Sequence, residues 1–413
     1  MADESNQKLW FEPYFDSDRP WLDRDRLADK PDGATFAIER ADGTIDSYST
    51  VGEANQELAA DAKGTIRGVS LPNFKKLVPP ALLRRPVATD DARIRQAFLG
   101  DVRKALLYSA FIAVLLYAEI PGLRLGPGEK MLAIILLFLF GIAPLINSSC
   151  QWLDYAKKRT PEERERKRAE EILFSGWVQD FARWPIVVGI GFLVVMFLVQ
   201  AFHQGGLSSF QEYSRSLGHS FREVGLMRQK VRMGDEWWRI VTAGLLHGGM
   251  IHLYFNSNAL YSIGSVLVGV CRMSWVIIVF TLSVVGGSLA SIYGPIRFGA
   301  SVGASGGIMG LLGFLLVLSF FYKGGFPHFI KGAILRSVVL IAILGWFGSQ
   351  FIDNAAHAGG FAVGAAIGLI AVPFGDIMFG KQKTPIYIYP VAGVCAVVLL
   401  YGAVKICRIL LEM

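Results

Sequence analysis

Gly303-Ala304-Ser305-Gly306 is a turn of small residues that opens the apolar stretch 305–321 and leaves one hydroxyl where a hydrocarbon side chain belongs. It reads as a helix entering a membrane with a nucleophile in its first turn. Alone, Gly-x-Ser-Gly carries a second reading, because glycine and serine are also what close helix packing in lipid selects. Two other stretches bear on the choice: His252 with Asn256, and His357 with Gly360 and Gly364.

Outward from that turn, apolar residues gather into nine blocks, at about 105–120, 131–147, 185–202, 251–270, 274–293, 305–321, 337–348, 357–374 and 386–404. A hydrocarbon core of ~30 Å takes about 20 helical residues, or somewhat fewer where polar ends are tolerated. The blocks therefore predict an all-α polytopic membrane protein. A barrel would need period-two alternation, which these segments lack. The formal charge of +7 raises nucleic acid as a partner, but basic residues beside spans set orientation, and membrane lipid is the partner expected. No apolar run appears in the first hundred or so residues, which predicts a cytosolic N-terminus without a cleavable signal. Cys150, Cys271, Cys395 and Cys407 show neither metal nor disulfide-scaffold spacing, so no metal or other cofactor is expected.

The organisation expected is a small soluble N-terminal region and linker (1–100), a candidate transmembrane hairpin (101–150), a basic connector (151–184), a core (185–374) and one further C-terminal span (375–413). In the first of these, Asp42-Gly43 predicts a hairpin over Thr35–Tyr48, Gln56–Lys63 a short helix stopped by Gly64, and 72–86 a linker. Lys157, Lys158, Arg159, Arg164, Arg166, Lys167 and Arg168 mark the connector as cytosolic, on a solvated helix with interleaved glutamates. Arg272, Lys323, Lys331, Arg336, Lys381 and Lys383 agree with that phase. Lys405 and Arg408, at the outer end of the last span, fit it less well.

Counted from the connector, the fourth, sixth and eighth spans all descend from the outer face. His252 and Asn256 open the fourth, Ser305 the sixth and His357 the eighth, so alternation brings these groups to one depth. His252 and Asn256 are four apart and share a helix face. Polar side chains inside a membrane mark a functional site by default. Gly306, Gly310 and Gly313, and Gly360, Gly364 and Gly368, form small-residue stripes that let backbones approach closely, as a serine and a histidine on different helices require.

Gly303-Ala304-Ser305-Gly306, His357 with Gly360 and Gly364, and His247-x4-His252-x3-Asn256 together resemble the rhomboid intramembrane serine proteases, and Glu236-Trp237-Trp238-Arg239 resembles that family's tryptophan-arginine motif. The resemblance covers roughly 185–374 and implies a six-helix core, here with extra helices on both sides. It implies that Ser305 attacks a scissile carbonyl and His357 moves its proton. It also implies that the Ser305 N–H with His252 and Asn256 forms the oxyanion hole, and that transmembrane proteins are the substrates. Glu236, Trp238, Arg239 and His247 would brace the site, Gly303, Gly306, Gly360 and Gly364 would pack it, and the span with Trp346 and Phe347 would be the substrate gate. Met309 departs from the family pattern, standing where some relatives carry an aromatic against the histidine. Asp353, four residues before His357, invites a triad, but the family has no acid there.

The setting expected is a bacterial inner membrane, with the oligomeric state left open. A noncatalytic escort of membrane proteins is the alternative, although such relatives lack the serine or histidine. A transporter would show inverted repeats. A zinc protease would place His247 and His252 four apart around a glutamate, and they are five apart.

Overall fold

The computed structural model describes residues 11–412 except 16–21, 33, 35, 62–64, 72–73, 84–87, 118–136, 157–159, 180, 182, 204–209, 295–299, 322–325, 350–351 and 373–385. The chain divides into two compact units, 1–177 and 178–413.

In the first unit, Asp42-Gly43 makes the expected turn. Gly43 takes a φ of +86°, Asp42 accepts from the Thr44 N–H at 2.9 Å, and β1 (Phe36–Arg40) pairs antiparallel with β2 (Ile45–Tyr48). Thr50 and Glu53 then close a capping box that starts α1 (Val51–Ala60) earlier than the expected Gln56. The helix ends at Ala60, and Gly64, its expected stop, lies outside the described residues.

Asp61 carries the chain onward into β3 (Ile66–Leu71), its carboxylate accepting from the Thr65 N–H and O–H at 2.8 Å and the Ile66 N–H at 2.9 Å. β4 (Phe74–Val78) follows, and the sheet has the order β2-β1-β3-β4. This corrects the linker expected over 72–86. Pro79 and Pro80 follow the strand rather than interrupt it, and Leu77 and Val78 are buried in the small core.

The backbone N–H groups of Thr65 and Ile66 hold the Asp61 carboxyl below its ordinary 3.8. A carboxylate depressed on folding stabilises fully above its unfolded value, and that stability is lost as pH falls through the folded value. Amide exchange over Ile66–Leu71, corrected for intrinsic rates, should therefore accelerate as pH drops below ~4. Asp61→Asn should weaken that pH dependence.

α2 (Ala88–Tyr117) and α3 (Ala143–Ala156), the latter entered through a π-helical turn at Phe138–Ile142, pair through Phe98 stacked on Trp152 at 5.6 Å. The turn expected between them falls in 118–136, outside the described residues. α4 (Pro161–Gln179) carries the basic connector behind a Thr160–Glu163 cap. Ala169, Leu173, Phe174 and Trp177 are buried, so this helix has a packed face and is not solvated all round.

The second unit holds the helices α5 (Trp184–Phe202), α6 (Phe210–Val224), α7 (Arg228–Met233), α8 (Arg239–Thr242), α9 (Met250–Val270), α10 (Met273–Tyr293), α11 (Ser305–Phe321), α12 (His328–Phe347), α13 (Asn354–Ala371) and α14 (Ile388–Leu411). Among the described residues α5, α10, α13 and α14 are long and apolar enough to cross a membrane, and α11 is apolar over 17 residues. α12 begins at His328, ahead of its apolar block, because Lys331 and Arg336 interrupt hydropathy without interrupting the helix.

The glycine stripes set the packing. α11 and α13 lie side by side and in register: a methyl group on Gly360 would fall inside the Gly306 carbonyl, and one on Gly364 inside the Gly310 carbonyl. α10 runs antiparallel to both, with Gly287 against Ala356 and Gly306, and Ser283 against Gly310.

Candidate active site

Because α11 and α13 touch along their glycines, their first turns meet. Ser305 begins α11, His357 lies in the first turn of α13, and the serine Oγ is 2.8 Å from the His357 Nε2. A hydroxyl hydrogen-bonded to an imidazole in this way can pass its proton to the ring as it attacks an electrophile.

His252 reaches the same spot from α9. Gly303 has a φ of +135°, and a Cβ there would lie 2.8 Å from the His252 Cε1, 3.0 Å from its Nε2 and 3.5 Å from the Ser305 Oγ. The glycine is needed twice, for its backbone conformation and for the space that the imidazole takes. The Gly248 N–H donates to the His252 Nδ1 at 3.2 Å. In the neutral ring that bond leaves the proton on Nε2, the nitrogen facing Gly303. One turn on, Asn256 is buried, and its Nδ2 has no hydrogen-bond partner among the described residues. A buried amide donor without a partner is costly unless an acceptor comes to it.

Asp353 does not reach the imidazole as a third acid. Its carboxylate caps α13, accepting from the Ala356 N–H at 3.0 Å and from the Ser291 hydroxyl of α10, and its carbonyl accepts from the His357 N–H at 3.1 Å. Asn354 donates to the Gly345 carbonyl at 2.8 Å, tying the end of α12 to the start of α13. Trp346 on α12 is 80% exposed, while the Phe347 side chain lies outside the described residues. Met309 is buried on α11.

The segment from 225 to 248 closes the site. Arg239 is buried, donates to the Gly225 carbonyl at 2.7 Å, pairs with Glu236 and lies 4.6 Å from the Trp238 ring centroid. Leu226 and Ser301 exchange two backbone hydrogen bonds at 3.0 Å, and the Gly303 N–H donates to the Ala243 carbonyl at 2.9 Å. The turn ahead of Ser305 is therefore held by this segment.

Sequence reasoning missed Gln200. It is fully buried on α5; its Nε2 donates to the Ser220 hydroxyl (3.0 Å) and the His247 carbonyl (3.3 Å), and its Oε1 accepts from the His247 N–H at 2.8 Å. The His247 ring is buried and packs edge-on to His252 at 5.5 Å. An amide inside the run Phe192–Phe202 was the available signal. Ser288, which donates to the Ile240 carbonyl at 2.8 Å, was missed for the same reason, as one hydroxyl among several in α10.

Residues 234–374 match the family model for the Rhomboid domain. The chain is 34% identical over 146 residues to RHOMBOID-like protein 4 of Arabidopsis thaliana, covering 35% of this chain and 37% of that one. It is 30% identical over 214 residues to the rhomboid protease GluP of Bacillus subtilis, covering 50% and 39%. To the rhomboid protease AarA of Providencia stuartii it is 28% identical over 172 residues, covering 35% and 60%. These alignments span less than two thirds of each relative's own length.

Proposed function

On the premise that residues 234–374 are a rhomboid domain within a polytopic helical membrane protein, we propose that this chain is an intramembrane serine endopeptidase. The observation that carries the proposal is the 2.8 Å contact between the Ser305 Oγ and the His357 Nε2 at the heads of two helices locked together by glycine. Ser305 attacks the scissile carbonyl carbon and its proton passes to His357, which returns it to the leaving amine. Water then repeats the sequence on the acyl-enzyme. The developing oxyanion takes hydrogen bonds from the Ser305 N–H, the His252 Nε2 and the Asn256 Nδ2. Transmembrane proteins are the substrates, entering past α12 with Trp346 at the gate. The basic connector supports a cytosolic N-terminus by the positive-inside rule, a topology suited to a bacterial inner membrane.

Purified protein in liposomes should cut a single-span substrate in or near its membrane segment, the cut being mapped by mass spectrometry. Substrate that is bound and never cut would support the escort reading instead. Asn256→Ala sharpens the test. Loss of one oxyanion donor lowers turnover by about 100- to 1000-fold. The melting temperature should not fall, because the Nδ2 donor has no partner among the described residues to lose.

A further inference from the structure

α14 lies beyond the rhomboid domain, and Lys405 near its end runs against the cytosolic phase expected for Arg272, Lys323, Lys331, Arg336, Lys381 and Lys383. The structure gives that lysine a place. Its Nζ lies 5.4 Å from the centroid of the Trp238 ring, the same ring that Arg239 approaches. A cation near an apolar helix end is costly unless something receives it, and the face of an indole is the best aromatic receiver.

One turn earlier, Gly402 brings the helix backbone against the same segment. A Cβ at Gly402 would lie 2.9 Å from the Val241 Cγ1 and 3.3 Å from the Leu245 Cδ1. Gly402 lies on the buried face of α14, with Ile388, Ala392, Cys395, Ala403, Ile406 and Leu410, and Lys405 is half-buried beside it. That face packs on α5, α8 and α10.

We propose that α14 is a brace for the active-site loops, with Lys405 on Trp238 and Gly402 against Val241 and Leu245 acting as positioning residues; the inference rests on the protease reading. The residues they touch flank Ala243, whose carbonyl holds the Gly303 N–H at 2.9 Å, two positions before Ser305. The same segment continues through His247 to Gly248, whose N–H fixes the His252 ring. The nucleophile turn and an oxyanion donor thus both hang from residues 238–248, a stretch on which α14 packs alongside α10. Neither Lys405 nor Gly402 touches the reacting atoms. They act by holding the stretch in register, and displacements of about 1 Å cost on the order of 100-fold in rate.

The test uses the full-length protein in liposomes, with Lys405→Met, which keeps the methylene stem and removes the charge, Lys405→Arg, which restores a cation, and Gly402→Leu. Hydrogen exchange of peptides covering 236–248 should be faster in Lys405→Met and Gly402→Leu than in wild type, and restored in Lys405→Arg. Turnover number should fall about 3- to 10-fold in Lys405→Met, the scale of one cation–π contact, with KM within twofold. Gly402→Leu should lose more. Unchanged exchange in both Lys405→Met and Gly402→Leu, or faster exchange with unchanged turnover, would overturn the brace. A wild-type protein that cleaves nothing would overturn the protease reading, while the exchange comparison would still decide whether α14 holds the loop.

Discussion

Alanine at Ser305 should leave no measurable cleavage of a transmembrane substrate, and alanine at His357 should lower turnover by at least about 10,000-fold, measured in liposomes at saturating substrate. The two groups act as one unit. Without the hydroxyl there is no acyl-enzyme, and without the imidazole the hydroxyl keeps its proton and the amine leaves unprotonated. The double substitution should therefore cost no more than the worse single one, as groups that share a step are not additive. Both variants should fold, since each removes side-chain atoms and neither disturbs the glycine contacts behind them. Retained cleavage in Ser305→Ala would assign the chemistry to another nucleophile.

Valine at Gly364 should be the most damaging substitution outside the reacting groups. Its Cβ would fall inside the Gly310 carbonyl, which is helix backbone and cannot turn aside as a side chain could. α13 must then move away from α11, and the 2.8 Å contact between Ser305 and His357 at the head of the same pair opens. Overpacking typically costs about 1–3 kcal/mol and more where backbone must yield. A clear drop in melting temperature is expected, with turnover reduced on the order of 100-fold or more. Gly393→Ala in α14 is the control. Nothing lies within 4 Å of a Cβ there, and alanine should stabilise the helix by up to ~1 kcal/mol. Equal effects at the two positions would mean that helix propensity and not the close approach is what Gly364 serves.

The parts of this architecture legible in the sequence are those written in local periodicity. The four-residue spacing of Gly360, Gly364 and Gly368 and the matching glycines after Ser305 announced a close helix pair, and alternation of spans put Ser305 and His357 at the same end of it. Side chains that act across the fold were not legible. Gln200 holds His247 from 47 positions away, and nothing in its own helix says which loop it faces. Asp353 was set aside as a third acid, and the geometry agrees, but that its carboxylate goes to the helix cap and to Ser291 of another helix could not be read from its position. Lys405 looked like an orientation misfit until Trp238 came beside it. In the first unit the Asp42-Gly43 hairpin was read correctly because its turn chemistry is local. β3 and β4 were missed because the prolines around them resemble a linker and their pairing is not local, β3 adding to β1 and β4 to β3.

The most direct measurement is to treat the purified full-length protein with a fluorophosphonate and map the adduct by mass spectrometry, comparing wild type with His357→Ala. A serine activated by its neighbouring imidazole should carry the label on Ser305 in wild type, and His357→Ala should abolish or strongly slow it. No adduct on Ser305, or labelling that proceeds at the same rate without His357, would contradict a working pair at the head of these two helices.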